Sequence, residues 1–355
     1  MALMLDDLEY INKIDKSNML GTVSAFPEQI KDAIRLVKSI NVTRISEIAN
    51  IIIVGMGGSA ISGDILSSYL RDITKIPIFV NRDYSLPAWA NQNTLAFFLS
   101  YSGNTEETLN SFQDAHQKKC KIIGISSGGK LQDFCQQLGV KHIRIKTGFQ
   151  PRVALAYLLF PTLTVLQKTG LIKENVNPDI EEAIQITTDL RNNSKKEIVT
   201  KENVAKQLAQ DIHNTVPQIY GWGAYAPIAR RWRTQFNENS KIIAREDIIP
   251  ECNHNDIVGW SHNLEASKRF TCILFRDKKN ETPNISKRLN FMKNLYKQTA
   301  YGVIEIQTEG ETLLARMMYL LLLGDFLSCY LAVLRKIDPT PVDIITDLKK
   351  ILGKN

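Results

Sequence analysis

An α/β fold of two parallel sheets, each flanked by helices on both faces, is predicted by three features of this 355-residue sequence. Short apolar runs alternate with helical stretches, as strands buried on both faces require. The alternation occurs twice, once in each half of the chain. In each half an apolar run ends in small residues that open a helix, "IIIVGMGGSA" first and "QIYGWGAYAP" later.

The elements follow in order. Residues 1–50 read as helical up to Ile51, where a strand takes over. Strand "NIIIVG" leads into helix "SAISGDILSSYLRDIT", then strands "IPIFVN" and "LAFFLS" and the helix of "EETLNSFQDAHQKKC". Strand "CKIIGISS", helix "KLQDFCQQLG" and strand "KHIRIKT" close the first unit. A long, largely buried helix starts near Pro151, where proline suits the first helical turn. Residues 173–210 are helical and charged, with "RNNSKKE" as the most linker-like stretch. The second unit runs from strand "QIYGWG" through a helix to strands "RFTCILF" and "YGVIEIQ". The chain therefore divides into 1–155, a helical connection 156–204, and 205–355 with its C-terminal helices.

Composition narrows the function. The net charge is +7 and the pI about 9.0, which suits an anionic ligand. The basic residues lie scattered in pairs such as Lys118–Lys119 and Lys195–Lys196, never interleaved with aromatics, so nucleic acid is not expected. Five cysteines at irregular spacing argue for reduced thiols and a cytoplasmic setting, not a disulfide framework or zinc ribbon. The N-terminus has no signal-type apolar core. The most apolar stretch, "MMYLLLLGDFLSCYLAVL", holds Asp325 in its middle and reads as a buried helix, so no membrane is expected.

Two loops carry the chemistry. In "VGMGGSA", Gly55, Gly57 and Ala60 satisfy the G-x-G-x-x-G/A dinucleotide pattern, but the acid expected after the next strand is poorly placed. A tight βα turn, or a sugar-binding wall of Gly57, Gly58 and Ser59, fits the same residues. In "LSYSGNTEET", Ser100, Ser102 and Thr105 offer three hydroxyls beside a helix N-terminus, enough to surround one phosphate without a lysine. No G-x-x-x-x-G-K-S/T is present. In "ECNHND", Glu251, Cys252, His254 and Asp256 are ligand types, yet consecutive loop residues rarely complete a tetrahedral metal site alone. His116, His142 and His213 read as surface or packing histidines.

"GMGGSAISGD" followed by "SYSGNTEET" resembles the sugar isomerase (SIS) domain. The whole chain is similar to the bifunctional phosphoglucose/phosphomannose isomerases, which carry two such domains, through "QPRVALAYLL", "QFNENSK", "PECNHNDIVGW" and "IDPTPVDIITDLKK". The resemblance implies interconversion of glucose 6-phosphate and mannose 6-phosphate with fructose 6-phosphate through a cis-enediol, with neither metal nor cofactor. It implies that Ser100, Ser102 and Thr105 bind the phosphate beside Gly57, Gly58 and Ser59. It implies Glu238 as the base, Arg152 at the enediolate, and His254, supplied by the second chain of a homodimer, for ring opening. His262 is the rival for that last role. A C-terminal lysine would assist at the ring oxygen, aligned with Lys349, with Lys350 adjacent. The apolar helices at 152–168 and 312–334 are expected to offer surface for the dimer. A sugar-phosphate sensor and an isomerase confined to glucose 6-phosphate are the alternatives. A dehydrogenase is a more distant one.

Overall fold

The computed structural model describes residues 2–38, 40, 44–262 and 264–352. Strands β1 (Asn50–Val54), β2 (Ile78–Asn81), β3 (Thr94–Leu99), β4 (Lys121–Ser126) and β5 (Lys141–Arg144) form one parallel sheet in the order β2-β1-β3-β4-β5. Strands β6 (Val216–Trp222), β7 (Arg245–Ile249), β8 (Phe270–Arg276) and β9 (Gly302–Gln307) form a second, in the order β7-β6-β8-β9. All neighbours in both sheets are parallel.

Period-two alternation sends side chains to two different cores. Ile51, Ile53, Leu95, Phe97 and Leu99 join Ile273 and Phe275 of the second sheet in one large core shared by both halves. Ile52, Val54, Ala96 and Phe98 face a smaller core outside the first sheet, and Cys272 and Leu274 one outside the second. The shared core is filled by helices Leu155–Lys168 and Leu313–Leu334.

That filling corrects one expectation. Every residue from Leu314 to Leu334 is buried within this chain, and the helix packs on helices Asn177–Ser194, Val204–Ile212 and Ala226–Glu238. Helix Leu155–Lys168 is likewise buried from Leu155 to Leu163. The two apolar helices supply this chain's own core, and almost none of their apolar surface is left for a partner. By length and hydropathy, 1.9, Leu313–Leu334 could cross a membrane, yet it lies wholly inside the fold.

Three further differences are local. The segment expected to be helical from Pro151 is a 3₁₀ turn, Pro151–Val153, before the helix proper begins at Leu155. The "RNNSKKE" stretch is not a free linker. Its helix runs to Ser194, and the buried Lys206 ammonium donates to the Lys196 and Ile198 carbonyls. Strand β7, "REDII", is not among the predicted strands, because an edge strand with three charges lacks the apolar run that marks the others.

The internal repeat has a backbone signature. Gly57 and Gly223 follow β1 and β6 with φ of +50° and +49°, and a side chain at either would meet nothing. Gly55 and Gly221, two residues earlier, allow no side chain. A Cβ would lie 2.9 Å from the Leu99 carbonyl in the first and 2.7 Å from that of Tyr225 in the second. The same strand–turn–helix geometry is thus used twice.

Candidate active site

Strand order reverses between β2 and β3 around β1, and ligands of open parallel sheets bind at such a point, beyond the strand C-termini. Two loops meet there. Gly57–Ser59 opens helix Gly57–Tyr69, and Ser100–Thr105 leads into helix Glu106–Gln117.

The serine loop is built for its hydroxyls. Gly103, at φ +70°, packs so tightly on the Gly128 carbonyl that any side chain would overlap it. The Gly103 amide donates to Ser100 Oγ at 3.1 Å, and the Ser100 and Thr105 hydroxyls are hydrogen-bonded to each other at 2.9 Å. One O–H of that pair stays free to donate outward. Ser102 is exposed, accepts from the Asn104 amide at 3.2 Å, and keeps its own O–H as a donor. Thr105 caps the helix by position only. Its side chain makes no cap bond, so the first amides of the helix remain open. The set is a donor-rich cradle suited to an anion.

The second half does not repeat this cradle. The corresponding loop after β8 is taken up by side-chain ion pairs. Arg276 forms a bidentate pair with Glu281 at 2.7 and 2.8 Å, and Asp277 accepts from Tyr225 and Arg316. Anion-binding capacity of this kind resides in the first half.

Arg152 lies beside Gly58. A side chain at Gly58 would come within 3.3 Å of the Arg152 Cα, so glycine there lets helix Gly57–Tyr69 approach the Pro151–Val153 turn. The turn is tied to the serine loop as well, since Tyr101 Oη accepts from the Phe149 amide at 2.7 Å. Arg152 is 3% exposed. Its Nε donates to Asn239 Oδ1 at 2.6 Å, and its Nη2 to the carbonyls of Pro339 and Thr340 at 2.8 and 2.9 Å. Its remaining nitrogen, Nη1, lies 3.6 Å from Glu238 Oε2. Burial lowers the Arg152 pKa, and the Glu238 carboxylate opposes that shift. A guanidinium stays protonated under any such pressure, so a fixed cation faces a half-open carboxylate.

A buried layer holds this pair. Arg231 donates to the Arg152 carbonyl at 3.0 Å and to both oxygens of Asp325 at 3.1 and 2.6 Å. Gln235 donates to Asp325 Oδ1 at 2.8 Å, and Asn239 to Ser328 Oγ at 2.9 Å. The acid inside the most apolar helix is therefore the counter-ion of a buried arginine.

Comparison with known proteins gives this geometry its family. Residues 44–166 match the SIS domain, and residues 201–352 match the bacterial phospho-glucose isomerase C-terminal SIS domain. A bifunctional phosphoglucose/phosphomannose isomerase of Caldicellulosiruptor bescii is 42% identical over 95% of this chain and 99% of the relative. The chain belongs to the bifunctional phosphoglucose/phosphomannose isomerase family. Another member, from Aquifex aeolicus, is 36% identical over 86% of this chain and 91% of its own length. Among solved structures, the C-terminal domain of glucosamine-fructose-6-phosphate aminotransferase from Francisella tularensis shares the fold, with a TM-score of 0.68 and 16% identity, over 90% of this chain and 97% of that one.

In this member of the isomerase family the chain gathers some expected residues and not others. Gly58 lies against the Arg152 backbone, and Arg152 faces Glu238. His254 does not join them. It ends the 3₁₀ turn Glu251–His254 after β7, is exposed, and its side chain makes no hydrogen bond or ion pair among the described residues. Its neighbours are pinned. Asn253 Oδ1 accepts from Arg288 at 3.1 Å, and Asp256 Oδ2 accepts from Tyr220 Oη and Trp260 Nε1 at 2.8 and 2.9 Å. A histidine with fixed flanks and no partner is presented outward. Its rival His262 is bound through Nδ1 to Ser261 and the Val258 carbonyl. Of the other ligand types in "ECNHND", Asp256 is committed to Tyr220 and Trp260, and Glu251 accepts from Asn255. Among the described residues no three acids, histidines or cysteines gather. His142 bonds Ser126, as a packing histidine does.

Lys349 lies on helix Asp343–Leu352, none of whose residues is buried. Lys350 pairs with Asp347 at 2.9 Å on the same helix, whereas Lys349 has no such tie among the described residues. The helix exposes Ile344, Leu348, Ile351 and Leu352. Sequence reasoning missed Asn239, Lys241, Arg231, Asp325 and the Pro339–Thr340 carbonyls. Asn239 and Lys241 stand inside the quoted "FNENSK", but only the fold shows what they touch.

Proposed function

We propose that this chain interconverts glucose 6-phosphate and mannose 6-phosphate with fructose 6-phosphate, by moving a proton between C1 and C2 of the open-chain sugar. Family membership supports the activity, and one observation carries the mechanism: a buried, triply anchored Arg152 lies 3.6 Å from a partly exposed Glu238 beside the hydroxyl cradle. The proton to be removed is a weakly acidic C–H next to a carbonyl. A carboxylate base contributes about 10²–10⁴-fold to such a step. Glu238 takes the proton at one carbon and returns it at the other. The oxygen charge that grows in the enediolate meets the Arg152 Nη1, already in position, and a preorganised donor of this kind contributes about 10²–10³-fold. The phosphate, held by Ser100, Ser102 and Thr105, positions the reacting end. The deciding test is incubation of the purified chain with fructose 6-phosphate, with and without chelator, and chromatography of the products. Appearance of both aldose phosphates is expected. Glucose 6-phosphate alone would restrict the enzyme to one substrate pair, and tight binding without turnover would make it a sensor.

The cradle has its own test. Each hydrogen bond to a charged group is worth about 1.5–3 kcal/mol. Ser102→Ala combined with Thr105→Ala should raise KM steeply for both aldose phosphates, and an unchanged KM would place the phosphate elsewhere.

The working unit in this reading is a cytoplasmic homodimer that serves hexose phosphate metabolism in glycolysis and gluconeogenesis. Free cysteines support the compartment. The outward, unpartnered His254 and the exposed apolar face of the C-terminal helix support a second chain, which would bring His254 and Lys349 to the sugar ring. Complementation separates shared from self-contained sites. Mixing inactive Glu238→Gln and His254→Ala chains, after dissociation and reassociation, should restore about half of a heterodimer's sites, because both lesions fall in one of its two sites. No recovery despite demonstrated exchange would mean that each chain completes its own site.

A further inference from the structure

The helix that carries Glu238 ends there, and its last carbonyls have no partner further along the helix. Lys241 covers them. Its Nζ donates to the Glu238 carbonyl at 2.5 Å and lies 3.4 Å from that of Asn239. The same ammonium donates to the Pro339 carbonyl at 3.0 Å, on the turn that also receives Arg152 Nη2. One cation therefore staples the strand of chain bearing the carboxylate to the turn that fixes the guanidinium. Lys241 itself sits at φ +52°, a strained conformation for a residue with a side chain, which aims the side chain back over the helix end.

We propose that Lys241 is a positioning residue for isomerisation: its ammonium fixes the Glu238 backbone against the Pro339–Thr340 turn and thereby sets the spacing of Glu238 and Arg152. The inference rests on the isomerase reading. Proton transfer between adjacent carbons needs one carboxylate that reaches both, and a misplacement of about 1 Å costs roughly 10²-fold in rate. Lys241 touches no substrate in this role. It acts through the backbone of the base and through the turn that anchors the cation.

The charge of Lys241 is itself conditional. Burial and the neighbouring Arg152 bring its pKa down to about 8, while Asp338 and Glu238 oppose the shift. The remaining groups facing it are the Cys329 thiol, buried in helix Leu313–Leu334, and Arg335, which donates to the Ser240 carbonyl next door. The ammonium is present below about pH 8 and is lost above it, so the staple weakens as pH rises.

The experiment compares wild type, Lys241→Met and Lys241→Arg in a coupled fructose 6-phosphate assay across pH 6–10, with thermal unfolding of each. Both replacements meet the same backbone strain as lysine. Lys241→Met should lower kcat about 10–100-fold with KM changed little. Lys241→Arg should recover most of that loss and move the alkaline fall in kcat to higher pH, because a guanidinium does not titrate there. A Lys241→Met enzyme within threefold of wild type would overturn the inference and leave the isomerase reading intact. So would a Lys241→Arg profile with the alkaline fall unmoved, which is decisive even if the methionine variant fails to fold. A wild-type chain that forms no aldose phosphate would overturn the reading, and this inference with it.

Discussion

Glu238→Gln should cripple turnover while leaving substrate affinity nearly unchanged. Glutamine keeps the size of the side chain and an oxygen for the Arg152 Nη1, but it cannot take a proton from carbon. The expected loss in kcat is about 10²–10⁴-fold. Affinity should survive because the proposed phosphate site, the hydroxyls and helix amides of the serine loop, bonds within itself and not to Glu238. Calorimetric titration with fructose 6-phosphate reads the binding, and a coupled assay the turnover. Activity within tenfold of wild type would remove Glu238 from the role of base. Equal loss of binding and turnover would mean that the carboxylate holds Arg152 in place and does no proton transfer.

The largest effect on stability should come from Asp325→Ala. Asp325 is 3% exposed and accepts three hydrogen bonds, two from Arg231 and one from Gln235. Removing one partner of a buried ion pair leaves the other charge uncompensated and costs about 3–5 kcal/mol. Urea unfolding should show the loss. The double variant Asp325→Leu, Arg231→Met should recover part of it, since apolar residues of similar volume often replace a buried pair without penalty. Activity should not recover in step, because Arg231 also donates to the Arg152 carbonyl. A single variant within about 1 kcal/mol of wild type would show that water reaches this pair. A double variant that regained full activity would detach Arg231 from the placement of Arg152.

The class of fold, the doubling of the βα turn and the hydroxyl loop are all legible along the chain. Each depends on residues a few positions apart. Alternation along a strand, a glycine where a strand meets a helix, and hydroxyls at a helix N-terminus all act over less than ten residues. Resemblance to a family added Arg152 and Glu238 as members of one site, and the fold places them 3.6 Å apart. What holds them is visible only in the folded chain. Asp325 with Arg231, Asn239 with Arg152, and Lys241 with Pro339 are partners separated by 87 to 98 positions, and no local pattern records such a pairing. The same holds for the apolar helices. Hydropathy marks Leu313–Leu334 as a segment to be buried, and cannot say whether a partner chain or its own does so. Strand β7 stayed hidden for the converse reason, since an edge strand held by backbone hydrogen bonds to β6 needs little apolar surface to exist.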